Sequence, residues 1–465
     1  MLTFPRRRFP PCPTRPIAEL ARAILDHSVS PVELTRAYLE RIERLNPHLN
    51  AFIAITAEIA LAQAREAEAE MSYGTLRGPL HGIPLALKDI IDVEGVTTTC
   101  GASFLGDNVA ERDAAVWANL REAGAVLLGK THMLEFAMGG TDRNHTFGYC
   151  ANPWAPAHFS GGSSTGSGAA VAAGLCAGAL GTDTGGSVRQ PAAYCNLVGI
   201  KPTPGVLPLE GVFPLSPTLD TVGPMTRTAQ DNALMLDAIA GGGAFAAALR
   251  GATLAGKRVG VPWRWTAEQT TPEVAAAIED AAETFAAAGA EVAEIDLNLG
   301  HIALSYGAIA FHEGMLTHRA QGWYPDKPYG PNPRKRLDSG AATTPAEYAA
   351  ALETAAELRG EAEAAAQGFD ALLLPTQPMT APAFGQEDVV LGGKRVDAAA
   401  ARGLFNMAWN VIGWAAVSAP GGFSNQGQPI GVQLAGPPGS DAALLAMAHA
   451  YQQITDWHTR HPPLE

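Results

Sequence analysis

Residues 160–193, SGGSSTGSGAAVAAGLCAGALGTDTGGSVRQPAA, constrain this chain more than any other stretch. They hold two serine-bearing glycine turns, Gly161 to Gly168 and Thr184 to Ser187. A helix over about Gly168 to Ala179 is expected to join the first turn to a short strand, Ala179 to Asp183, that leads into the second. Small residues throughout demand close backbone packing. Glycines beside serines expose backbone N–H groups, the equipment for holding an anion or an oxyanion.

The remainder of the 465 residues reads as the support for these turns. Hydrophobic residues are 47 % and charged residues 17 %, the balance of a large soluble enzyme core. A net charge of −14 argues against a nucleic-acid partner, because phosphate binding needs clustered Lys and Arg. Cys12, Cys100, Cys150, Cys176 and Cys195 are odd in number, widely spaced and lack a CxxC pair, which excludes a disulfide frame or zinc ribbon and points to a reducing cytoplasm. The Arg- and Pro-rich start has no apolar run behind it, so neither a secretory signal nor a membrane anchor is expected.

Residues 1–16 are expected to be loose, and 17–465 to form one domain. Ser30-Pro31-Val32-Glu33 reads as a capping box, and Asn46-Pro47 as the end of the helix behind it. A third helix spans about Thr56 to Met71. From about 78 to 223, the expected core, short apolar strands alternate with glycine turns and helices. His81 to Lys88 leads into a buried strand, followed by strands at Ala125–Lys130 and Leu197–Lys201. This pattern predicts an α/β protein with a large mixed, mostly parallel, twisted sheet covered by helices on both faces. A peripheral insertion is expected over about 230–370. It holds strands near Lys257–Pro262 and Glu291–Leu297, an irregular segment over 298–343, and a capping box at Thr344-Pro345-Ala346-Glu347. Strands at Asp370–Pro375, Ala415–Ala419 and Ile430–Leu434 follow, then a last helix over Ser440–Ile454.

Several chemistries can be set aside. Gly162 to Gly166 fits G-x-S-x-G with Ser164 as nucleophile, but that elbow needs a strand directly before it, and a loop precedes this one. A phosphate loop needs Lys after its last glycine, where Ser167 stands. His312 and His318 are six positions apart, the wrong spacing for one metal on a helix face. No metal or other cofactor is expected. A serine nucleophile needs a base at neutral pH, and no histidine lies in or beside the turns. Lysine serves if desolvation keeps it neutral. Lys88 closes the apolar run Ile83-Pro84-Leu85-Ala86-Leu87, which buries its stem; a lone lysine is otherwise most often a solvated surface residue.

GGSSTGS at 161–167, GTDTGGSVRQPAAYC at 181–195 and VGIKPTPG at 198–205 together resemble the amidase signature family. The likeness extends to Leu87-Lys88-Asp89, Gly129 to Ala137, Asn152-Pro153-Trp154, Pro375 to Pro378 and Gly431 to Leu434, and covers about residues 17–458. Ser163 and Ser187 lie 24 positions apart, as do the family's two active serines. The resemblance implies Ser187 as nucleophile, Ser163 as a bridging serine after a cis Gly162–Ser163 bond, and neutral Lys88 as base. It implies an oxyanion hole from the N–H groups of Thr184, Gly185, Gly186 and Ser187. Asp183 and Arg189 read as an ion pair holding the turn, or else Arg189 meets a substrate carboxylate. Gly139, Gly140 and Gln377 match positions near the family's substrate pocket.

The family cleaves many amides. Ala415 departs from its N-x-x-G-x-P-A pattern, where Pro is usual. Tyr306, Phe311, Trp323, Tyr324 and Tyr329 suit an apolar or aromatic group. The expectation is therefore a free-standing cytoplasmic amidase acting on small aryl or alkyl amides, extending to carbamates or esters, without nucleic acid or membrane. The sequence is compatible with monomer and homodimer alike. The alternative is the glutaminase subunit of an aminoacyl-tRNA amidotransferase complex. A scaffold protein with lost catalysis is opposed by the intact Lys88, Ser163 and Ser187.

Overall fold

The computed structural model describes residues 14–139 and 143–464. The loose segment expected over 1–16 lies, through residue 13, outside the described residues. One sheet of 11 strands runs through the molecule. Its strands are β1 (Phe52–Ile55), β2 (Pro84–Lys88), β3 (Val126–Thr131), β4 (Gly178–Asp183), β5 (Val198–Lys201), β6 (Thr221–Thr226), β7 (Arg258–Val261), β8 (Glu291–Glu294), β9 (Ala371–Pro375), β10 (Ala415–Phe423) and β11 (Pro429–Gly436). They lie side by side in the order β1-β3-β2-β4-β6-β5-β10-β11-β9-β7-β8.

The mixed α/β sheet is thus as expected, but parallel pairing does not predominate. Four of the ten pairings are parallel (β2 with β3 and β4, β7 with β8 and β9), and six are antiparallel. One cause is β6, absent from the strands expected of the sequence, which pairs antiparallel with both β4 and β5. The central strands β2, β3, β4, β5 and β6 are buried along their whole length. That burial is why they read as continuous apolar or small-residue runs and not as alternating ones.

Helices cover the sheet. The N-terminal ones are α1 (Ile17–Leu25), α2 (Pro31–Leu49) and α3 (Ala57–Ser72). Ser30 caps α2 by accepting from the N–H groups of Val32 and Glu33, and its hydroxyl donates to Glu68, but Glu33 does not accept the Ser30 N–H in return, so the reciprocal half of the capping box is missing. Pro47 lies inside the last turn of α2 and does not end it. The helix runs on to Leu49, where Asn50, in the left-handed region, returns its N–H to the Asn46 carbonyl at 2.7 Å. Helix α4 (Thr165–Ala172) follows the first glycine turn, starting and ending earlier than expected, and α5 (Arg189–Tyr194) follows the second.

The segment 298–343 is not irregular. It forms α6 (Ala303–Ala320) and α7 (Pro331–Ala342), which pack with α8 (Pro345–Ala365). The prolines that suggest loop structure sit in the connection between α6 and α7 and at the first helical position of α7, where a missing N–H costs nothing. Helix α8 carries the full capping box, with Thr344 and Glu347 bonded reciprocally. The four described cysteines are free and buried in the core.

Candidate active site

Strand β2 delivers Lys88 at its last residue, and β4, its parallel neighbour, delivers Thr182 beside it. Lys88 is 0 % exposed, and its Nζ hydrogen-bonds the hydroxyls of Ser163 and Thr182, both at 2.7 Å. Burial lowers the Lys88 pKa to about 7, against the opposing fields of Asp220 and Asp183. The amine is therefore poised between its two protonation states near neutrality. Its neighbour Asp89 faces Lys130 across 3.2 Å in a separate buried ion pair.

The turn that presents Ser163 contains a cis Gly162–Ser163 peptide. Gln190 accepts the Gly162 N–H at 2.9 Å, and the Ser163 carbonyl accepts from Leu134 at 3.0 Å. Gln377 completes this support. It is 2 % exposed, and its side-chain oxygen accepts from Gln190 and from the Tyr194 hydroxyl. Gln377 thus braces the Ser163 turn from behind and does not open onto a substrate.

Ser187 sits half-buried between β4 and α5, and its hydroxyl makes no hydrogen bond to a described residue. The backbone around it is forced by its neighbours. Gly186 has φ +113°, and a Cβ there would lie 2.6 Å from the Asn406 side chain. A Cβ on Gly185 would meet the Tyr306 ring at 2.8 Å. Not all four N–H groups expected to hold an oxyanion are available. That of Gly186 donates to Asp183 at 2.7 Å, whereas those of Thr184, Gly185 and Ser187 make no hydrogen bond to a described residue.

Arg189 does not meet a substrate. It is 0 % exposed and wholly spent inside the protein, on both oxygens of Asp183 (2.9 and 3.0 Å), on Gln433 (2.9 Å) and on Asn410 (2.7 Å). Burial alone would push the Asp183 carboxyl up. Arg189, with Asn410 and the Gly186 N–H, outweighs it and holds the group well below the usual carboxylate range. This clamp shapes the nucleophile turn from beneath. Gly139 lies near the Ser163 turn, sharing Leu134 with Gly162 as a close neighbour, and Gly140 lies outside the described residues.

Of the five aromatics expected to face the pocket, Tyr306 reaches the site at Gly185, and Phe311 packs edge-on against Tyr306 at 5.9 Å. Trp323 and Tyr329 instead fill a cluster with Phe104, Phe136, Phe213 and His318, and Tyr324 hydrogen-bonds Asp338 at the surface. Arg336 on α7 has no role in the sequence reading. Its guanidinium lies 4.6 Å over the Phe311 ring, within the field of Tyr306, and no carboxylate of the described residues pairs with it. Arg402 adds its own field to that of Arg336 and covers Phe159, whose ring closes on Gly162.

The amidase family pattern matches residues 33–445. The chain is 39 % identical, over 96 % of its length and 98 % of the relative's, to a glutamyl-tRNA(Gln) amidotransferase subunit of Methylococcus capsulatus. The protein of that name from Coxiella burnetii is 38 % identical over 96 % of this chain and 99 % of its own. Among solved structures, the peptide amidase of Stenotrophomonas maltophilia superposes with a TM-score of 0.81 at 31 % identity, covering 97 % of this chain and 98 % of that one. A protein from a vestigial complex tied to the origins of an s-triazine catabolic enzyme gives 0.88 at 32 %, covering 94 % and 98 %. The chain therefore belongs to the amidase family and is an enzyme acting on amides.

These relatives overturn the expectation of a free-standing aryl or alkyl amidase whose only partner is a small molecule. The sequence relatives are named as one part of a larger enzyme, and that name includes a tRNA. The charge argument fails for a physical reason: −14 describes this chain's own surface, not that of an assembly. Among the described residues no helix is long and apolar enough to cross a membrane.

Proposed function

As this chain is an amidase-family member, we propose that it is the glutamine-hydrolysing component of an aminoacyl-tRNA amidotransferase assembly. Ser187 attacks the side-chain amide carbon, and its proton passes through Ser163 to neutral Lys88. The N–H groups of Gly185 and Ser187, with that of Thr184, receive the oxyanion; each such donor is worth roughly 3 kcal/mol of transition-state stabilisation. The C–N bond breaks as Lys88 returns the proton to nitrogen, and ammonia leaves. Water then hydrolyses the acyl-enzyme by the same relay, and partner proteins complete the assembly that delivers the ammonia to the aminoacyl-tRNA.

The observation that carries the reading is Arg336. A desolvated guanidinium without a carboxylate partner, beside the ring that covers Gly185, suits a substrate whose far end is a carboxylate. Glutamine has one; anilides and simple alkyl amides do not.

The test is ammonia release from glutamine, acid amides and neutral anilides, with tagged protein recovered from its native host. The reading expects ammonia from the carboxylate-bearing amides and co-purifying partner proteins. Cleavage of anilides alone by a chain that purifies without partners would end it.

A further inference from the structure

The loop 213–221 joins the helical lobe to the nucleophile turn through two carboxylates, Asp220 half-buried and Glu313 buried. Asp220 accepts the Thr184 hydroxyl at 2.5 Å on one oxygen, and the N–H groups of Leu215 and Ser216 at 2.9 and 3.0 Å on the other. Thr184 opens the turn that offers the oxyanion donors. Glu313 on α6, 8 % exposed, accepts from the Ser216 hydroxyl (2.6 Å), the Thr218 N–H (3.0 Å), the Thr218 hydroxyl and the Tyr348 hydroxyl of α8 (2.7 Å). Every oxygen of both carboxylates is occupied, and neither has a cationic partner within ion-pair distance among the described residues. Carboxylates drawn out of water and held only by hydroxyls and amides are costly unless their positions matter.

We infer that Asp220 and Glu313 are positioning residues: Asp220 aligns the Thr184–Ser187 turn and supplies the negative field that Lys88 feels, and Glu313 fixes that loop to α6 and α8. The lobe that carries Tyr306 and Arg336 is thereby tied to the turn that performs the chemistry. Lys88 is faced by Asp220 from the loop, Asp183 from the end of β4 and Cys100 from the loop after β2; Asp220 in turn faces Lys88 and Tyr306 of α6. Burial raises the Asp220 carboxyl to about 6, below the value of about 7 for Lys88, so it is mostly an anion where Lys88 loses its proton. An anion beside an ammonium favours the charged form. Removing it lets Lys88 become neutral at lower pH.

The inference rests on Ser187 chemistry but not on the identity of the amide, so the probe is phenylmethylsulfonyl fluoride. The Ser187 Oγ–S bond forms, the S–F bond breaks, fluoride leaves, and the hydroxyl proton goes to Lys88. The second-order rate of adduct formation, followed by mass against pH, is measured for wild type, Asp220→Asn, Glu313→Gln, Thr184→Val and Thr184→Ser. Asp220→Asn is expected to move the acid limb down by up to about one pH unit. It is also expected to lower the plateau roughly 10-fold through the misaligned turn. Glu313→Gln lowers the plateau several-fold, by roughly half that factor on a logarithmic scale, without moving the limb. Thr184→Val loses rate and Thr184→Ser recovers it, which keeps the test intact if Asp220→Asn does not fold. Profiles that superimpose on a normally labelling wild type overturn the positioning role of Asp220 and Glu313 alone. A wild type that forms no Ser187 adduct overturns the nucleophile assignment and the positioning role together.

Discussion

The stretch from Ser160 to Lys201 and the lobe α6–α8 build opposite sides of one site by opposite means. In the first, side chains are small and almost all buried, and each turn is held by named partners: Gln190 on Gly162, Asp183 on Gly186, Arg189 on Asp183. In the second, helices bring Tyr306 over Gly185 from outside, with Phe311 against it and Arg336 over Phe311, and much of the helices' surface is in solvent. Bond-breaking geometry tolerates little variation in backbone, so it leaves a dense local pattern. Substrate choice needs only that some side chain arrive from somewhere, so its residues are scattered along helices whose other faces serve packing.

Replacing Ser187 by Ala strikes the dense region hardest. Amide hydrolysis is expected to fall by ~10⁴-fold or more, measured as single-turnover product release, with folding unchanged. Residual activity within 10-fold of wild type would break the division of labour, for then the chemistry lies elsewhere. Arg189→Met comes next. It leaves Asp183 buried without its cation and is expected to cost about 3–5 kcal/mol in urea unfolding. A loss confined to KM for carboxylate-bearing amides, at full stability, would return Arg189 to the substrate. Arg336→Gln is the smaller effect on the other side: KM for glutamine or an acid amide rises roughly 10- to 100-fold, kcat changes little, and stability holds. The finest test is pH. Activity is expected to rise with pH through about 7 as Lys88 sheds its proton, and Arg336→Gln should leave that midpoint where it is.

The same contrast explains what is legible in the sequence. The apolar run before Lys88 suggests a buried strand, but the parts given to Lys88, Ser163 and Ser187 come from the resemblance to the amidase signature family, since glycine turns and a lone lysine have other uses. The Asp183–Arg189 pairing is foreseeable from proximity; its wider clamp is not, since Asn410 and Gln433 arrive from distant helices and strands. The segment 298–343 misleads because prolines at helix starts look like loop prolines, and because α6 buries residues of mixed polarity such as Ser305, Glu313 and His318. Arg336 stands in a run of three basic residues, and only the fold distinguishes the one over Phe311 from Arg334, which pairs with Asp338. Strand β6 escapes notice because Gly223 and Pro224 mask it.

The buried cysteines have a use of a different kind. Cys150, Cys176 and Cys195 bracket the two serine turns, Cys100 lies within the field of Lys88, and burial pushes all four thiols up in pKa. Thiolate is the reactive form, so a folded molecule hides these groups from an alkylating reagent both sterically and chemically. Each modification therefore records one excursion of the region around it, and the four rates amount to a built-in clock for how often the catalytic core breathes.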